Sequence, residues 1–239
     1  MQTKLLKRLT KSKTHSKIWA KKGSEIENMN KSVYSLLLSD DFIERIDDLA
    51  AVSGVSRSVM VDRVLAHFLA EETVETKMNN VFRRMEEMLE NYTALKFVNQ
   101  ASDCMASVQS ALAYRYNPTV KYSIELFPAG ALGQLKISLR TTNGELLKIM
   151  ERFYSLFINI EKKYIGERAY AYDGTRFVRV FVRPDGMTVE KAGEAIAEYV
   201  ADFDKYLRTY FSALGDEKLA RMKVEAEYAE NIDKKEVIL

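Results

Sequence analysis

The segment from Val33 to Leu69 constrains the fold more than any other part of the chain. It opens with an alternating apolar run, Val33-Tyr34-Ser35-Leu36-Leu37-Leu38, and reaches Ser39-Asp40, a pair suited to cap a helix. Phe42, Ile43, Ile46, Leu49 and Ala50 then recur at helical spacing until Ser53-Gly54 stops them. A second helix follows at once, capped by Ser56, with Val59, Met60, Val64, Leu65, Phe68 and Leu69 as its apolar stripe. One strand and two short helices in about 40 residues bury little alone, because surface dominates volume at that size. The spacing predicts a unit that needs a partner.

The rest of the chain divides by periodicity. From Glu71 to about Tyr116 there is neither Pro nor Gly, and Val74, Met78, Val81, Met85, Met88, Tyr92 and Leu95 step by four and three. That seam predicts a helical connector over 72–117, either a coiled coil between subunits or an amphipathic helix lying on its own C-terminal domain. Past Asn117-Pro118, strands are expected at Val120–Leu126 and Leu135–Arg140, then a helix over Glu145–Lys163. The order repeats with strands at Ala169–Tyr172 and Arg176–Val182 and a helix from about Val189 to Phe211. The expectation is an α+β domain over 118–214, an antiparallel four-stranded sheet with two helices on one face, read as a candidate ββα duplication. Tyr154, Phe157, Tyr170, Tyr172, Phe177 and Phe181 suit a pocket lining or a plain core. Residues 215–239 make a C-terminal helix or tail.

Charge is unevenly placed. Residues 1–32 carry nine Lys or Arg against two Glu, a net +7, while the other 207 residues sum to −5 and the chain to +2. A basic flexible arm over 1–30 on a mildly acidic body suits an anionic partner. Met29 immediately precedes the alternating run and is a second candidate start, with which the net charge becomes −4. The single cysteine, Cys104, has no partner for an internal disulfide, and two histidines, His15 and His67, are too few for a Cys/His zinc site. A reducing cytoplasmic setting, no metal and no cofactor are expected. Apolar runs are far shorter than the roughly 18 to 20 residues that cross a bilayer, so no membrane partner is expected. Phosphate-binding glycine loops, nucleophile elbows and His-Cys or His-Ser pairs are missing, and the chain does not read as an enzyme.

Three pieces in fixed order reach a family: Tyr34 to Ala50, Gly54-Val55-Ser56-Arg57-Ser58, and Val61-Asp62-Arg63-Val64-Leu65. Together they resemble the ribbon-helix-helix DNA-binding module of the MetJ/Arc superfamily, over about a sixth of the chain. The Gly-x-Ser-Arg-Ser turn is the most specific element. The resemblance implies a module over 31–71 in which two chains pair their strands into an antiparallel ribbon that enters the major groove of double-stranded DNA. It implies a homodimer, or a higher even oligomer. Alternation then places Val33, Ser35 and Leu37 on the groove face. Tyr34, Leu36 and Leu38 face a shared core with Phe42, Ile46, Leu49, Val61, Val64, Leu65 and Phe68. Lys31, Ser56, Arg57 and Ser58 would hold backbone phosphate, the last three at the positive start of the second helix.

The sequence departs from the family in two ways. Groove positions are usually polar or basic there, whereas Val33 and Leu37 offer only shape or contact with thymine methyls. Residues 33–72 also sum to −5. The resulting expectation is a dimeric transcriptional regulator, a repressor, whose C-terminal domain adds dimer contacts, binds a small molecule or docks a protein. Plasmid partition or conjugative-transfer accessories, and antitoxin-like modules that use the ribbon mainly to dimerise, are the alternatives. Nickel-responsive repressors share this module, but the histidine shortage argues against a metal here.

Overall fold

The structure is a computed structural model and describes residues 33–69 and 71–239. Among them the order is α1 (Asp40–Ser53), α2 (Arg57–Phe68), α3 (Val74–Leu89), β1 (Leu95–Ser102), β2 (Met105–Ala111), β3 (Thr119–Leu126) and β4 (Gly133–Leu139). There follow α4 (Gly144–Ile165), β5 (Tyr170–Tyr172), β6 (Arg176–Phe181), α5 (Val189–Ser212) and α6 (Glu217–Ile232). All six strands form one antiparallel sheet in the order β1-β2-β3-β4-β6-β5. The class is α+β, as the change of periodicity predicts.

Register shows why the sheet has one wet and one dry face. Val108 lies opposite Tyr122, Tyr122 opposite Ile137, Ile137 opposite Phe177, and Phe177 opposite Tyr172, so one apolar row crosses five strands. Their out-of-phase neighbours Lys121, Ser123, Lys136 and Arg176 stay at least partly exposed, the alternation of a sheet packed on one side. Helices α4 and α5 cover the dry face with aromatic rings. Phe203 of α5 sits within ring contact of Tyr122, Phe153, Tyr154, Phe157 and Phe177, and Tyr154 stacks on Phe177 at 4.5 Å between centroids. Of the aromatics singled out in the sequence, Tyr154, Phe157, Tyr172, Phe177 and Phe181 are buried and Tyr170 packs half-buried against them.

The connector expected over 72–117 is corrected. Its helix stops at Leu89, and residues 95–111 form the hairpin β1–β2, which raises the sheet from the expected four strands to six. The cause is local. Tight turns close the helix, with Asn91 N bonded to Met88 O and Tyr92 N to Leu89 O; Ala106, Val108 and Ser110 then alternate inward, and the two-residue turn Asp103-Cys104 needs no Gly or Pro. Cys104 is thus half-buried at a hairpin tip, outside any helix. The seam from Met78 to Leu89 is buried against the chain's own α5. That packing is close enough to require Gly193, where a Cβ would lie 2.7 Å from Arg84 Cβ and Val81 O.

The ββαββα order of residues 119–212 matches expectation. It brings the second strand of each half, β4 and β6, side by side at the middle of the four-strand portion, as a two-fold repeat of hairpins does. Helix α6 lies on α4 and α5, and residues 233–239 fold back so that Leu239 is buried.

Candidate nucleic-acid interface

The N-terminal module is built by its caps. Ser39 begins α1, its carbonyl accepting from Phe42 N and Ile43 N. Gly54 ends the helix in the left-handed region at φ 64°, a conformation a side chain would strain. Val55 N returns to Ala50 O, and the next residue, Ser56, starts α2, its hydroxyl accepting from Val59 N at 3.4 Å. Two helices thus meet at a tight corner with the α2 N-terminus exposed.

Arg57 is the first residue of α2 and Ser58 the second, both exposed. The Arg57 guanidinium does not point free into solvent. It grips Asp47 of α1 through two parallel bonds, Nε to Oδ1 at 2.6 Å and Nη2 to Oδ2 at 2.5 Å. That hydrogen bond, seconded by the guanidinium charge, holds the Asp47 carboxyl below its ordinary value. Sequence reasoning missed this partner, although Asp47 and Arg57 flank one turn in the chain.

Residues 33–39 carry no regular secondary structure in the single chain, and they form no strand. Val33, Ser35 and Leu37, the expected groove face, are exposed, and so are Tyr34, Leu36 and Leu38. Of the expected shared core, Phe42, Leu49, Val64, Leu65 and Phe68 are also exposed, while Ile46 and Val61 are half-buried. Among the described residues of this module only Ala50 and Met60 are buried apolar side chains. Phe68 keeps 84% of its surface, against 0% for Phe177 in the sheet. Lys31 and the basic arm lie outside the described residues.

Elsewhere, a polar cluster escaped sequence reasoning altogether. Arg179 of β6 and Glu161 of α4 are both fully buried and ion-paired, with Tyr170 and Tyr199 donating to the same carboxylate. The signal was present. Arg179 occupies the inward phase between Phe177 and Phe181, and Glu161 continues the Phe153, Phe157 stripe of α4.

Among the described residues no cluster of three or more His, Cys, Asp or Glu could hold a metal ion, and no helix is long and apolar enough to cross a membrane. No protein-family model, no curated protein and no solved structure matches the chain.

Proposed function

We propose that the chain is a dimeric DNA-binding regulator, a repressor, in which residues 33–38 of two copies pair as a ribbon for the major groove of double-stranded DNA. One observation carries this reading: a helix pair joined at a tight corner, preceded by an alternating segment, leaves most of its large apolar side chains uncovered in the single chain. Exposed contiguous apolar surface of this extent marks an interaction site. An unpaired apolar segment ahead of the helices is what a second copy of itself would complete, with isologous contacts.

The exposed start of α2, with Arg57 and Ser58 beside it, suits a phosphate. The positive helix end and free amides draw an anion, and Arg57 can exchange Asp47 for a phosphate oxygen without crossing the module. The module's own charge opposes DNA at long range, so the basic arm supplies the attraction.

A salt series on one duplex tests this, with the full chain and a version starting at Met29. Each phosphate neutralised contributes about −0.9 to the slope of log affinity against log salt. If three or four arm cations per subunit meet phosphate, the shorter dimer loses roughly five to seven units of slope. A chain that dimerises yet shows no salt-dependent binding to any duplex, its own upstream DNA included, would assign the ribbon to dimerisation alone.

A further inference from the structure

We propose that the cleft between α4, α5 and α6, closed by Val237–Leu239, is a binding site for a small branched aliphatic carboxylate, and that this segment is its displaceable occupant. The site does not depend on DNA binding. It is built around Arg179, whose side chain has no solvent exposure. One edge of the guanidinium faces Glu161, with Nε 3.4 Å from Oε2 and Nη2 3.3 Å from Oε1. Nη1 donates to Val180 O at 2.7 Å. Nη2 also donates to the main-chain oxygen of Leu239 at 2.6 Å, much shorter than either contact to Glu161. Arg168 Nε approaches the same oxygen at 3.4 Å.

Two arginines therefore converge on one oxygen that the protein supplies from a segment without regular structure. The Glu161 carboxylate is fully engaged, accepting from Tyr170 at 2.5 Å, from Tyr199 at 3.0 Å and from Arg179, whose charge offsets its own. Burial, then the Glu161 charge, pushes both tyrosine hydroxyls up, so they remain donors. Two arginine donors on one oxygen favour an anionic group at that position.

The walls define the rest of the ligand. Leu239 is 3% exposed in a cleft with apolar walls from Phe157, Ile165, Phe203, Tyr228 and Ile232, which Asp202 and Lys235 also line. With the segment in place only about 40 Å³ of cavity remains, room for water and not for an organic ligand. An oxygen bonded by arginine, next to a branched aliphatic group in an aromatic cleft, is what a branched aliphatic acid would reproduce.

The segment is held in a way that permits exchange. It follows the end of α6, adds no strand to the sheet, and is tethered by half-buried pairs of Lys235 with Glu198 and Asp202 and by an exposed pair of Glu236 with Lys191. The exposed pair contributes little, and a segment with few backbone bonds opens more readily than the core. A buried arginine on a sheet's dry face is also a poor choice for stability alone, because well-packed apolar residues of similar volume serve as well.

The probe is 4-methylpentanoate, with neutral 4-methylpentanamide beside it, titrated into the full chain by calorimetry while hydrogen exchange follows the amides of Val237–Leu239. The acid is expected to bind more tightly than the amide and to speed exchange of those amides with the sheet unchanged. A chain ending at Asp233 removes the occupant. If the segment is out about a tenth of the time, this chain binds the acid about tenfold more tightly. Arg179→Gln abolishes binding if it folds, and Arg168→Gln, which leaves the buried pair intact, weakens binding in either case. The proposal is overturned by no binding of the acid to either chain, by binding that ignores both the truncation and Arg168→Gln, or by unfolding of the chain ending at Asp233, which would make the segment part of the core.

Discussion

The two ends of this molecule treat apolar residues in opposite ways. In the sheet and its helices, Val108, Tyr122, Ile137 and Phe177 are sealed by Phe153, Tyr154 and Phe203 of the same chain. In the module of residues 33–69, Tyr34 and Leu36 ahead of the helices and Phe42, Leu65 and Phe68 on them are exposed, although both helices are fully formed. Helices form in both regions; what differs is whether the chain itself holds the complementary surface. A body that covers its own core has a stability belonging to one chain, while a module that does not has one tied to protein concentration. On the proposed reading the second copy supplies the missing cover.

The largest expected effect falls in the body. Arg179→Ala leaves the fully buried Glu161 carboxylate without its cation, a loss of about 3–5 kcal/mol. Scanning calorimetry should show the main transition lowered by on the order of 10 °C, by the same amount at every protein concentration. Replacing both partners together, Glu161→Leu with Arg179→Met, should restore most of the loss. A transition for Arg179→Ala that moves with concentration would show that the body, too, is completed by a partner.

The module should respond in the complementary way. Leu36 is exposed in one chain, so Leu36→Asp leaves the fold of the monomer alone. On the proposed reading it puts a charge into the shared core and weakens association by about a hundredfold or more, near 3 kcal/mol. Sedimentation equilibrium of wild type and variant reads this directly, with the body's transition as the internal control. Wild-type protein that stays monomeric at micromolar concentration would remove the ribbon and with it the DNA-binding argument.

Which parts were legible in the sequence follows from where the information sits. The hairpins and helices from Val120 to Phe211 carry period-two or helical spacing bounded by Gly, Pro or Asn, and they appear within about two residues of where the spacing puts them. The hairpin β1–β2 was read as helix because Leu95 happens to continue a three-four step and because a Ser-rich strand with a plain two-residue turn carries no punctuation. Pairings distant in sequence were invisible. Arg179 with Glu161 and Leu239, and Arg57 with Asp47, exist only after chain reversal brings them together, though an Arg between inward Phe177 and Phe181 signals the first.

A smaller effect is expected at the joint that makes α3 part of the body. Gly193→Val forces a branched side chain into space where Arg84 Cβ and Val81 O already stand 2.7 Å from an added Cβ, costing about 1–3 kcal/mol by overpacking. The Arg84 to Glu194 bridge between α3 and α5 should loosen with it. Urea unfolding is the measurement. A drop in stability that leaves dimerisation unchanged sharpens the division between the two regions, whereas a variant that also loses association would mean that α3 transmits strain into the module.

The smallest expected effect concerns Arg57. In the single chain this guanidinium is bonded to Asp47, so any phosphate must take it from that carboxylate. Asp47→Ala frees the arginine and removes one negative charge per subunit, and it should tighten binding to every duplex by a few-fold, steepening the salt slope by up to about two units per dimer. Arg57→Ala should weaken all duplexes by a similar factor, because a residue at a helix start holds backbone and reads no base. The double variant decides between contact and charge. If Arg57 meets phosphate, its removal costs more in the Asp47→Ala background than in wild type, where part of its bonding is already spent on Asp47. Equal losses in both backgrounds would place Arg57 away from the DNA and leave the pair as an internal clasp between α1 and α2.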